Sequence, residues 1–348
     1  MLKRILLILA GLLALTMVVI GVLLFGTQEY WYPQRPNIPF ASLKDTALKD
    51  PDNPLKEFRV DMARVEQEFP LTRAQLTSLT PEQVRALSQE ELDQLYGRLT
   101  AGPIPDGPFW GDLVFPRTDS ANETNTTELQ LVMRRLKGVV ATFVPFVDAD
   151  APTRMEDAVG GVKGRLTDAK IKLLQKVSRA VWKGKIFYRD QRILRNFTEN
   201  TIVDAIIKAD DREAVEKTEI PRVGLLSYFS PVTTVNLLFP AKLLCGQSLV
   251  DGRRESIIID YAFNDEVPGY QKNPDGLVGR NGLRVREELR MIRPGFYLGR
   301  AYVHRILVVN FTLYNPKEAE AGLDAFTKGA PITEDCWAGE QLRRAEKN

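Results

Sequence analysis

Residues 296–314, FYLGRAYVHRILVVNFTLY, decide the fold class, because apolar and aromatic side chains recur through them in the alternation typical of β-strands. One strand is predicted over Phe296–Val303 and a second over Arg305–Tyr314. The same criterion predicts five earlier strands, at Val181–Tyr188, Ile193–Phe197, Val223–Phe229, Thr233–Phe239 and Glu255–Phe263. Because turn-rich segments and no long helices separate them, an antiparallel sheet that curls or closes into a barrel is favoured.

The part of the chain before these strands is predicted to be mainly helical. Residues 57–98 carry two capping patterns, Thr80–Gln83 and Ser88–Glu91, in which a hydroxyl N-cap precedes a Glu or Gln that can reach back to it. An apolar stripe runs through the same segment: Leu79, Val84, Leu87, Leu92 and Leu95. Further helices are predicted over Leu129–Val144 and Ala169–Val181. Helices followed by strands indicate an α+β fold.

Five consecutive regions follow from these patterns. Residues 1–26 are predicted to form a transmembrane signal anchor, 27–56 a Pro-rich linker, 57–180 a mainly helical subdomain, 181–316 an antiparallel β (barrel-like) domain and 317–348 a C-terminal tail. The linker contains five prolines among polar residues. It is therefore expected to be semi-extended and to hold the folded part away from the membrane.

The N-terminal region contains 21 consecutive uncharged, mostly apolar residues, Ile5–Phe25. At about 1.5 Å per helical residue they reach about 30 Å, the thickness of the hydrocarbon core of a bilayer. Lys3 and Arg4 precede the segment and the next cation is Arg35, so the N-terminus is expected in the cytoplasm. The rest is then expected beyond the inner (cytoplasmic) membrane, in a periplasmic or other extracytoplasmic space. A cleaved signal peptide is the alternative; retention as a single-pass anchor is predicted, because no small-x-small cleavage site precedes Gln28.

The composition limits the partners and cofactors. The 47 Lys and Arg residues nearly balance the 45 Asp and Glu residues. The anchor region holds two of the cations and no acid, so the exported part has no net charge, which argues against nucleic acid as a partner. The single His excludes the common His-rich zinc sites, and neither a metal nor another cofactor is predicted. Two cysteines, Cys245 and Cys336, could pair in an oxidising compartment or remain separate thiols.

Two short motifs carry a resemblance to a known family. Residues 182–187, WKGKIF, follow a predicted helix and are similar to the Trp-x-Gly-x opening strand of calycin-like barrels, the lipocalin and fatty-acid-binding types. Residues 293–300, RPGFYLGR, resemble the Pro-Gly-x-Tyr-Leu-Gly strand of uncharacterised bacterial envelope proteins with such barrels. The resemblance covers Trp182 to Tyr314 and implies a barrel with an apolar ligand inside. It supplies no catalytic residues.

The predicted ligand is an apolar molecule, above all a lipid, and six residues are predicted to bind it: Trp182, Asp260, Tyr261, Tyr297, Arg300 and Tyr302. Strand alternation places Arg300 among large apolar neighbours and Asp260 beside Ile258 and Ala262. A buried arginine requires a carboxylate, because an unpaired buried charge costs several kcal/mol. An Arg300–Asp260 pair inside the barrel is therefore predicted, either as a polar anchor for a ligand headgroup or as a structural ion pair.

Two other functions are open at this point. A serine hydrolase is suggested by residues 246–250, GQSLV, which nearly match the nucleophile elbow, with Ser248, Asp260 and His304 in the hydrolase order. Valine stands where the elbow requires a second glycine, and only 56 positions separate Ser248 from His304, so catalysis is not the leading interpretation. A scaffold subunit of an envelope complex, with residues 57–98 as the surface that docks a partner protein, is the third interpretation.

A cluster of arginines precedes the last two strands: Arg280, Arg284, Arg286, Arg290 and Arg293. Glu287 and Glu288 interrupt the cluster, and this mixture of signs favours a solvated helix face. The alternative is a basic rim at the mouth of a cavity, which would receive the phosphate of a lipid.

Overall fold

The computed structural model describes residues 35–42, 61–114, 182–198, 207, 209–228, 230–303 and 305–339. The predicted anchor, most of the predicted linker and the predicted helices at Leu129–Val144 and Ala169–Val181 lie outside these ranges. Within the ranges, none of the helices combines the length and the apolar character that crossing a bilayer requires.

The strands form one antiparallel sheet that closes into a barrel. The described ranges contain β1 (Gly107–Val114), β2 (Gly184–Tyr188), β3 (Ile193–Thr198), β4 (Lys217–Pro221), β5 (Val232–Gln247), β6 (Glu255–Asp260), β7 (Val285–Arg293), β8 (Phe296–Val303) and β9 (Ile306–Tyr314). The sheet order is β3-β2-β1-β9-β8-β7-β6-β5-β4, and β3 also pairs with β5. This pairing closes the sheet, so every strand except β4 belongs to an eight-stranded antiparallel barrel. The predicted α+β class with a barrel is confirmed.

Short helices cover part of the barrel surface. They are α1 (Met62–Glu68), α2 (Arg73–Ser78), α3 (Pro81–Arg85), α4 (Gln89–Gly97), α5 (Lys272–Asp275) and α6 (Pro316–Thr327), with 3-10 turns at Ala209–Ala214, Leu225–Tyr228 and Asn264–Glu266. Both predicted capping boxes are present, at Thr80 with Gln83 and at Ser88 with Glu91. In each, the N-cap hydroxyl accepts from the backbone amide of the later residue, whose side chain accepts from the N-cap amide. These contacts explain where α3 and α4 begin.

The arginine cluster is a barrel strand, so the prediction of a solvated helix face was wrong for most of it. Arg286, Arg290 and Arg293 belong to β7, which pairs with β6 on one side and β8 on the other. The signal was present as a period of two: Glu287, Leu289 and Met291 point to the barrel interior, and Arg286 and Arg290 point away from it. A register shift after Met291 places Arg293 on the outer side as well. The charged residues obscured this alternation in the sequence.

Three other elements differ from the prediction. β1 is longer than the short strand that the sequence predicts at Asp112–Phe115. It lies in the region predicted as a mainly helical subdomain, so that region and the predicted β domain contribute to the same sheet. β4 was not predicted, because its sequence, KTEIP, is polar and ends in proline. The predicted strand Val223–Phe229 is replaced by a turn that contains the 3-10 helix Leu225–Tyr228, and Gly224 there has a φ of +81°, which a strand does not use.

The two faces of the barrel wall pack against different partners. Interior-facing residues such as Leu289, Tyr297 and Leu313 form the core of the barrel. Outward-facing residues of β7 and β8, Ile292, Phe296 and Leu298, pack against the helical layer. All five residues of the predicted apolar stripe are fully buried in this second core: Leu79, Val84, Leu87, Leu92 and Leu95. The helical layer is therefore an outer sheath on one side of the barrel.

Buried charged side chains join the helical layer to the barrel. The ring of Tyr96 in α4 lies between the guanidinium groups of Arg290 (4.8 Å) and Arg300 (5.3 Å), at cation–π distances. The Tyr96 hydroxyl donates to Ser256 Oγ at 3.0 Å, and Arg290 Nε donates to the same oxygen at 2.9 Å. Arg300 Nη1 donates to Asp93 Oδ1 at 2.5 Å. The position of α4 on the sheet is thus set by specific polar contacts as well as by its apolar stripe.

A second buried group of charges holds α1. Glu66 accepts from Arg254 Nη2 at 2.5–2.6 Å and from Arg253 Nη1 at 2.7 Å. Arg253 also pairs with Asp251, at 2.8 Å. Burial would raise the pKa of Asp251, but the hydrogen bond from Arg253 and the charge of Arg290 lower it below its ordinary value of 3.8 overall. The turn between β5 and β6 therefore holds α1 through ion pairs between charged side chains.

The C-terminal segment closes one end of the barrel. Cys245 in β5 and Cys336 are joined by a disulfide. The backbone amide of Gly102 donates to Glu334 at 2.7 Å, and that of Ile104 donates to Asp335 at 2.7 Å. The start of the predicted C-terminal tail is helical, since α6 begins at Pro316. The segment after α6 is thereby fixed across the residues that lead into β1.

We expect Arg290→Met to destabilise the fold strongly. The guanidinium is fully buried, and its loss removes the hydrogen bonds that it donates to the carbonyl oxygens of Tyr96, Asp251 and Arg254. Removing one partner of a buried ionic group costs about 3–5 kcal/mol in the free energy of unfolding. Urea unfolding followed by circular dichroism measures it. The control is Arg280→Met at an exposed ion pair with Asp265, where we expect a loss below about 1 kcal/mol; equal losses in both variants would contradict the role of Arg290.

We expect reduction of the disulfide to lower stability by an amount set by its loop length. The bridge spans a sequence separation of 91 residues, for which the chain-entropy relation gives about 4–5 kcal/mol. The free energy of unfolding is measured with and without reductant. The double variant Cys245→Ser/Cys336→Ser is the control, since its stability should equal that of the reduced protein and should not respond to reductant. A wild-type protein that is indifferent to reductant would refute the prediction.

Candidate functional site

One end of the barrel interior is filled by aromatic and aliphatic side chains. Phe109 contacts Phe187 and Tyr297 edge-to-face, with ring centroids 5.6 and 5.7 Å apart. The Tyr297 hydroxyl donates to the carbonyl oxygen of Pro103 at 2.7 Å, so the segment before β1 covers this end. The arrangement leaves these rings in contact with each other, as in an ordinary protein core.

A buried polar cluster adjoins these rings in the interior, since Lys185 is the cross-strand partner of Phe109. Lys185 is 1 % exposed and its amine lies 2.8 Å from Glu287. The same amine donates to Asn196 Oδ1 at 2.7 Å and to the Tyr261 hydroxyl at 3.0 Å. Trp182 Nε1 donates to Asn196 Oδ1 at 3.0 Å. Every polar group named here has a partner, so the cluster is a satisfied network inside the barrel.

Aromatic rings surround the lysine amine and fill the space beside it. Lys185 Nζ lies 5.2, 5.5 and 5.7 Å from the ring centroids of Trp182, Phe311 and Tyr261. Two glycines make room for these rings. A Cβ at Gly111 would come within 2.3 Å of the Trp182 ring, and one at Gly299 within 2.2 Å of the Phe311 ring. Both positions therefore require glycine for packing.

Burial changes the acidity of the groups in this cluster. It lowers the pKa of Lys185 below the ordinary value of 10.5, and the adjacent Glu287 carboxylate offsets part of that effect. Burial also raises the pKa of Tyr261 well above 10.0, and the charge of Glu287 adds to the shift. The phenol is therefore a neutral hydrogen-bonding group, whereas for the amine burial opposes the charge and Glu287 favours it.

The structure divides the six predicted ligand-binding residues between two surfaces. Trp182, Tyr261 and Tyr297 face the barrel interior, as predicted for an aromatic wall. Asp260, Arg300 and Tyr302 lie on the outer side of the wall, where they meet the solvent or the helical layer. Their positions follow from the pleat, because the neighbours at odd positions, Ile259 and Ala301 among them, point inward.

The predicted ion pair between Arg300 and Asp260 does not form. Arg300 is paired with Asp93 of α4 and donates from Nε to the Tyr302 hydroxyl at 2.9 Å. Asp260 accepts from the backbone amide of Ala262 at 2.8 Å. The prediction of a charge pair inside the barrel described the wrong residues, because the inward-facing pair is Lys185 with Glu287.

The two described residues of the hydrolase alternative, Ser248 and Asp260, are not brought together. Ser248 follows the last residue of β5, which pairs with the first residue of β6, whereas Asp260 is the last residue of β6. Five residues of strand therefore separate the two sites, which is about 17 Å. Ser248 is buried, and its Oγ accepts from the amide of Val250 at 3.1 Å. His304 lies outside the described residues.

One group of described residues has the spacing of metal ligands, namely Cys245, Glu255 and Cys336. Because the two sulfur atoms are joined in the disulfide, the group offers a single carboxylate to a cation. It is a structural bridge with an adjacent acid.

A cleft of about 1210 Å³ lies outside the barrel, beside its aromatic end. Its walls come from α1, α2, the end of β7 and the C-terminal segment. The large apolar side chains of its lining are Leu71, Leu76, Leu99, Ile292, Phe326 and Ile332. Charged and polar side chains line the rest: Asp61, Arg64, Glu66, Gln67, Arg73, Arg98, Thr100 and Glu334. Met291 and Cys336 also line it, and both belong to the barrel core, so the floor of the cleft is the plugged end of the barrel.

Arg98 is the buried cation of this cleft. Its Nε donates to the carbonyl oxygen of Gln94, and its Nη1 donates to those of Pro39 and Phe69, at 2.6–2.9 Å. The Nη2 atom is buried without a hydrogen-bond partner. Burial lowers the pKa of Arg98 to about 10, and the charge of Glu66 partly opposes this. The guanidinium thus remains cationic at neutral pH, with carbonyl oxygens around it.

Several of these residues were missed in the sequence. The alternation of residues 184–188, GKIFY, already places Lys185 on the same face as Phe187, and that of β7 places Glu287 with Leu289. A charged residue on an apolar strand face was therefore a usable signal. Arg98 gave no such signal, because its carbonyl partners come from segments 29 and 59 residues away.

No family model matches the chain, and no curated protein and no solved structure matches it. The resemblance to calycin-like barrels therefore stays a prediction, which rests on the two quoted motifs.

We expect Lys185→Met to lose stability that Lys185→Met/Glu287→Met partly recovers. The single change leaves the carboxylate of Glu287 without its cation, at a cost of about 3–5 kcal/mol, whereas removal of both charges spares that penalty. The free energy of unfolding is measured by urea titration. A double variant no more stable than the single one would show that the charge pair is not the cause.

The same lysine predicts a pH dependence. Between its lowered pKa and 10.5, the unfolded chain binds more protons at Lys185 than the folded chain does, so wild-type stability should rise with pH in that interval. The rise should be absent in Lys185→Met. Urea titrations at several alkaline pH values compare the two proteins, and parallel curves would contradict the prediction.

Proposed function

We propose that this chain is a membrane-anchored extracytoplasmic protein that binds a lipid or another amphiphile in the cleft beside the barrel. The observation that carries the proposal is the cleft itself, about 1210 Å³ in volume, with an apolar wall and a buried guanidinium. Sites for small molecules measure roughly 300–1,000 Å³ and combine apolar walls with few polar groups. The volume fits a ligand with a long apolar part.

The cleft is a better site for such a ligand than the barrel interior. Rings of Phe109, Phe187 and Tyr297 occupy one end of the interior, and the Lys185 network adjoins them. A ligand there would have to displace packed side chains and break satisfied hydrogen bonds, both of which cost free energy. In the cleft, the ligand would replace solvent instead.

The polar part of the ligand is expected at Arg98. Glu66 is already paired with Arg253 and Arg254, and Glu334 accepts from Thr100 and Gly102. Arg98 contacts carbonyl oxygens and retains an unpaired Nη2. Arg64 and Arg73 line the cleft as well, so an anionic or carbonyl-bearing headgroup beside Arg98 would meet several cationic donors.

Two further features support the location. The disulfide suits an oxidising, extracytoplasmic compartment. The apolar run Ile5–Phe25, with Lys3 and Arg4 before it, is long enough to span a bilayer with the N-terminus inside. The calycin-like motifs, together with an eight-stranded antiparallel barrel, also favour a protein that handles apolar molecules.

A photo-crosslinking experiment tests the proposal with the full chain in its membrane. Cells or proteoliposomes are supplied with a phospholipid that carries a diazirine in its acyl chain, irradiated, and analysed by peptide mass spectrometry. We expect labelled peptides from α1 and α2 and from the segment after α6, because these line the cleft. Ala63→Trp should abolish that labelling, since residue 63 lines the cleft and the indole would fill it.

The matched control is Ala74→Trp, which places the same side chain on an exposed position of α2 outside the cleft lining. Its labelling should equal that of the wild type. Crosslinks confined to residues 1–34, or equal labelling in the two tryptophan variants, would overturn the proposal, because the lipid would then contact the chain only at its anchor or at a nonspecific site.

A further inference from the structure

The turn between β4 and β5 carries exposed apolar side chains that no described contact explains. We call the described residues of this turn, 222–228 and 230–232, the apolar tip. Tyr228 is 86 % exposed, Val223 is 42 % exposed and Val232 is 43 % exposed. The sequence of residues 222–232, RVGLLSYFSPV, contains one charge, and the next charged residue after it is Lys242. Clusters of this kind on a folded surface mark sites of interaction.

The tip has a defined conformation. The backbone amide of Arg222 donates to the carbonyl oxygen of Pro231 at 2.7 Å and closes the loop. Inside it, the Ser227 amide and hydroxyl both donate to the carbonyl oxygen of Gly224, at 3.0 and 2.7 Å. Because the turn satisfies its own backbone groups, the exposure of Tyr228 is a property of an ordered loop.

We infer that the apolar tip inserts into the interfacial region of the bilayer to which the chain is anchored; this rests on the anchor in the proposed function. Nine residues lie between Phe25 and Arg35, the first described residue, and the ten Cα–Cα steps from one to the other span at most about 35 Å when extended. The folded part is thereby kept within reach of the membrane surface. Because the anchor keeps the folded part near the bilayer, the bilayer interface is the surface that the tip can always contact.

The composition of the tip suits the interface. Tyrosine is enriched at the boundary between headgroups and hydrocarbon, which suits the exposed ring of Tyr228. Arg222 is the sole charged residue between Ile220 and Ala241, so the tip presents one cation and no acid to lipid phosphates. The exposed edge strand β4 carries the tip out from the barrel wall, since β4 is the strand beyond the closed ring.

The test uses the full chain in proteoliposomes of phosphatidylcholine and phosphatidylglycerol. The two natural cysteines form the disulfide, so Tyr228→Cys provides a single thiol for the environment-sensitive dye NBD. We expect a blue-shifted emission and at least about a twofold loss of intensity when spin-labelled lipids are included. Leu323→Cys is the matched control, because Leu323 is 38 % exposed on α6, and its label should keep the emission of a water-exposed dye.

Two more labels separate the possible failures. NBD at Gln28→Cys reports whether the anchor is inserted. Quenching at position 28 with none at 228 overturns the insertion of the tip and leaves the anchor standing; no quenching at either position overturns both. Equal quenching at 228 and 323 also overturns the inference, since contact would then be nonspecific. In Val223→Cys, the added change Tyr228→Ser should reduce the quenching. Lipid labelling of the cleft is measured separately and does not enter these outcomes.

Discussion

The helical layer depends on one arrangement, the ring of Tyr96 held between the buried guanidinium groups of Arg290 and Arg300. Two cations on the outer wall of a barrel would each bear a large desolvation cost if a helix simply covered them. Here the two guanidinium groups donate hydrogen bonds to Asp93 and to several carbonyl oxygens, and both contact the ring of Tyr96. Because this geometry exists at one position of α4 only, it sets the register between the helices and the sheet.

That register determines where a ligand can bind. With α4 fixed, α1 is brought within reach of Arg253 and Arg254 through Glu66, and a cleft is left between the helices and the plugged end of the barrel. The barrel interior has the opposite character, since its aromatic core and the Lys185 network occupy it. Eight strands enclose a space that side chains alone can fill, and this chain fills it. The barrel is therefore a rigid support, and the open space lies outside.

The candidate site was only partly predictable. Alternation along the strands assigned Trp182, Tyr261 and Tyr297 to positions that do face inward. It could not tell which of the two faces was the interior, and for Arg300 the face with large apolar neighbours proved to be the one under the helices. An apolar neighbourhood is common to both cores, so the sequence pattern of a strand between them cannot distinguish the barrel core from the helical interface.

The sequence by itself determined the local elements: the period of two in the strands, the capping boxes that start α3 and α4, and the apolar stripe that those helices bury. These depend on interactions within a few residues. Only the tertiary structure decided that β3 pairs with β5 to close the barrel, that Cys245 joins Cys336, and that Arg300 meets Asp93, 207 residues away in the chain. Such contacts depend on how whole elements pack, because many partners along the chain offer the same charge or the same apolar surface.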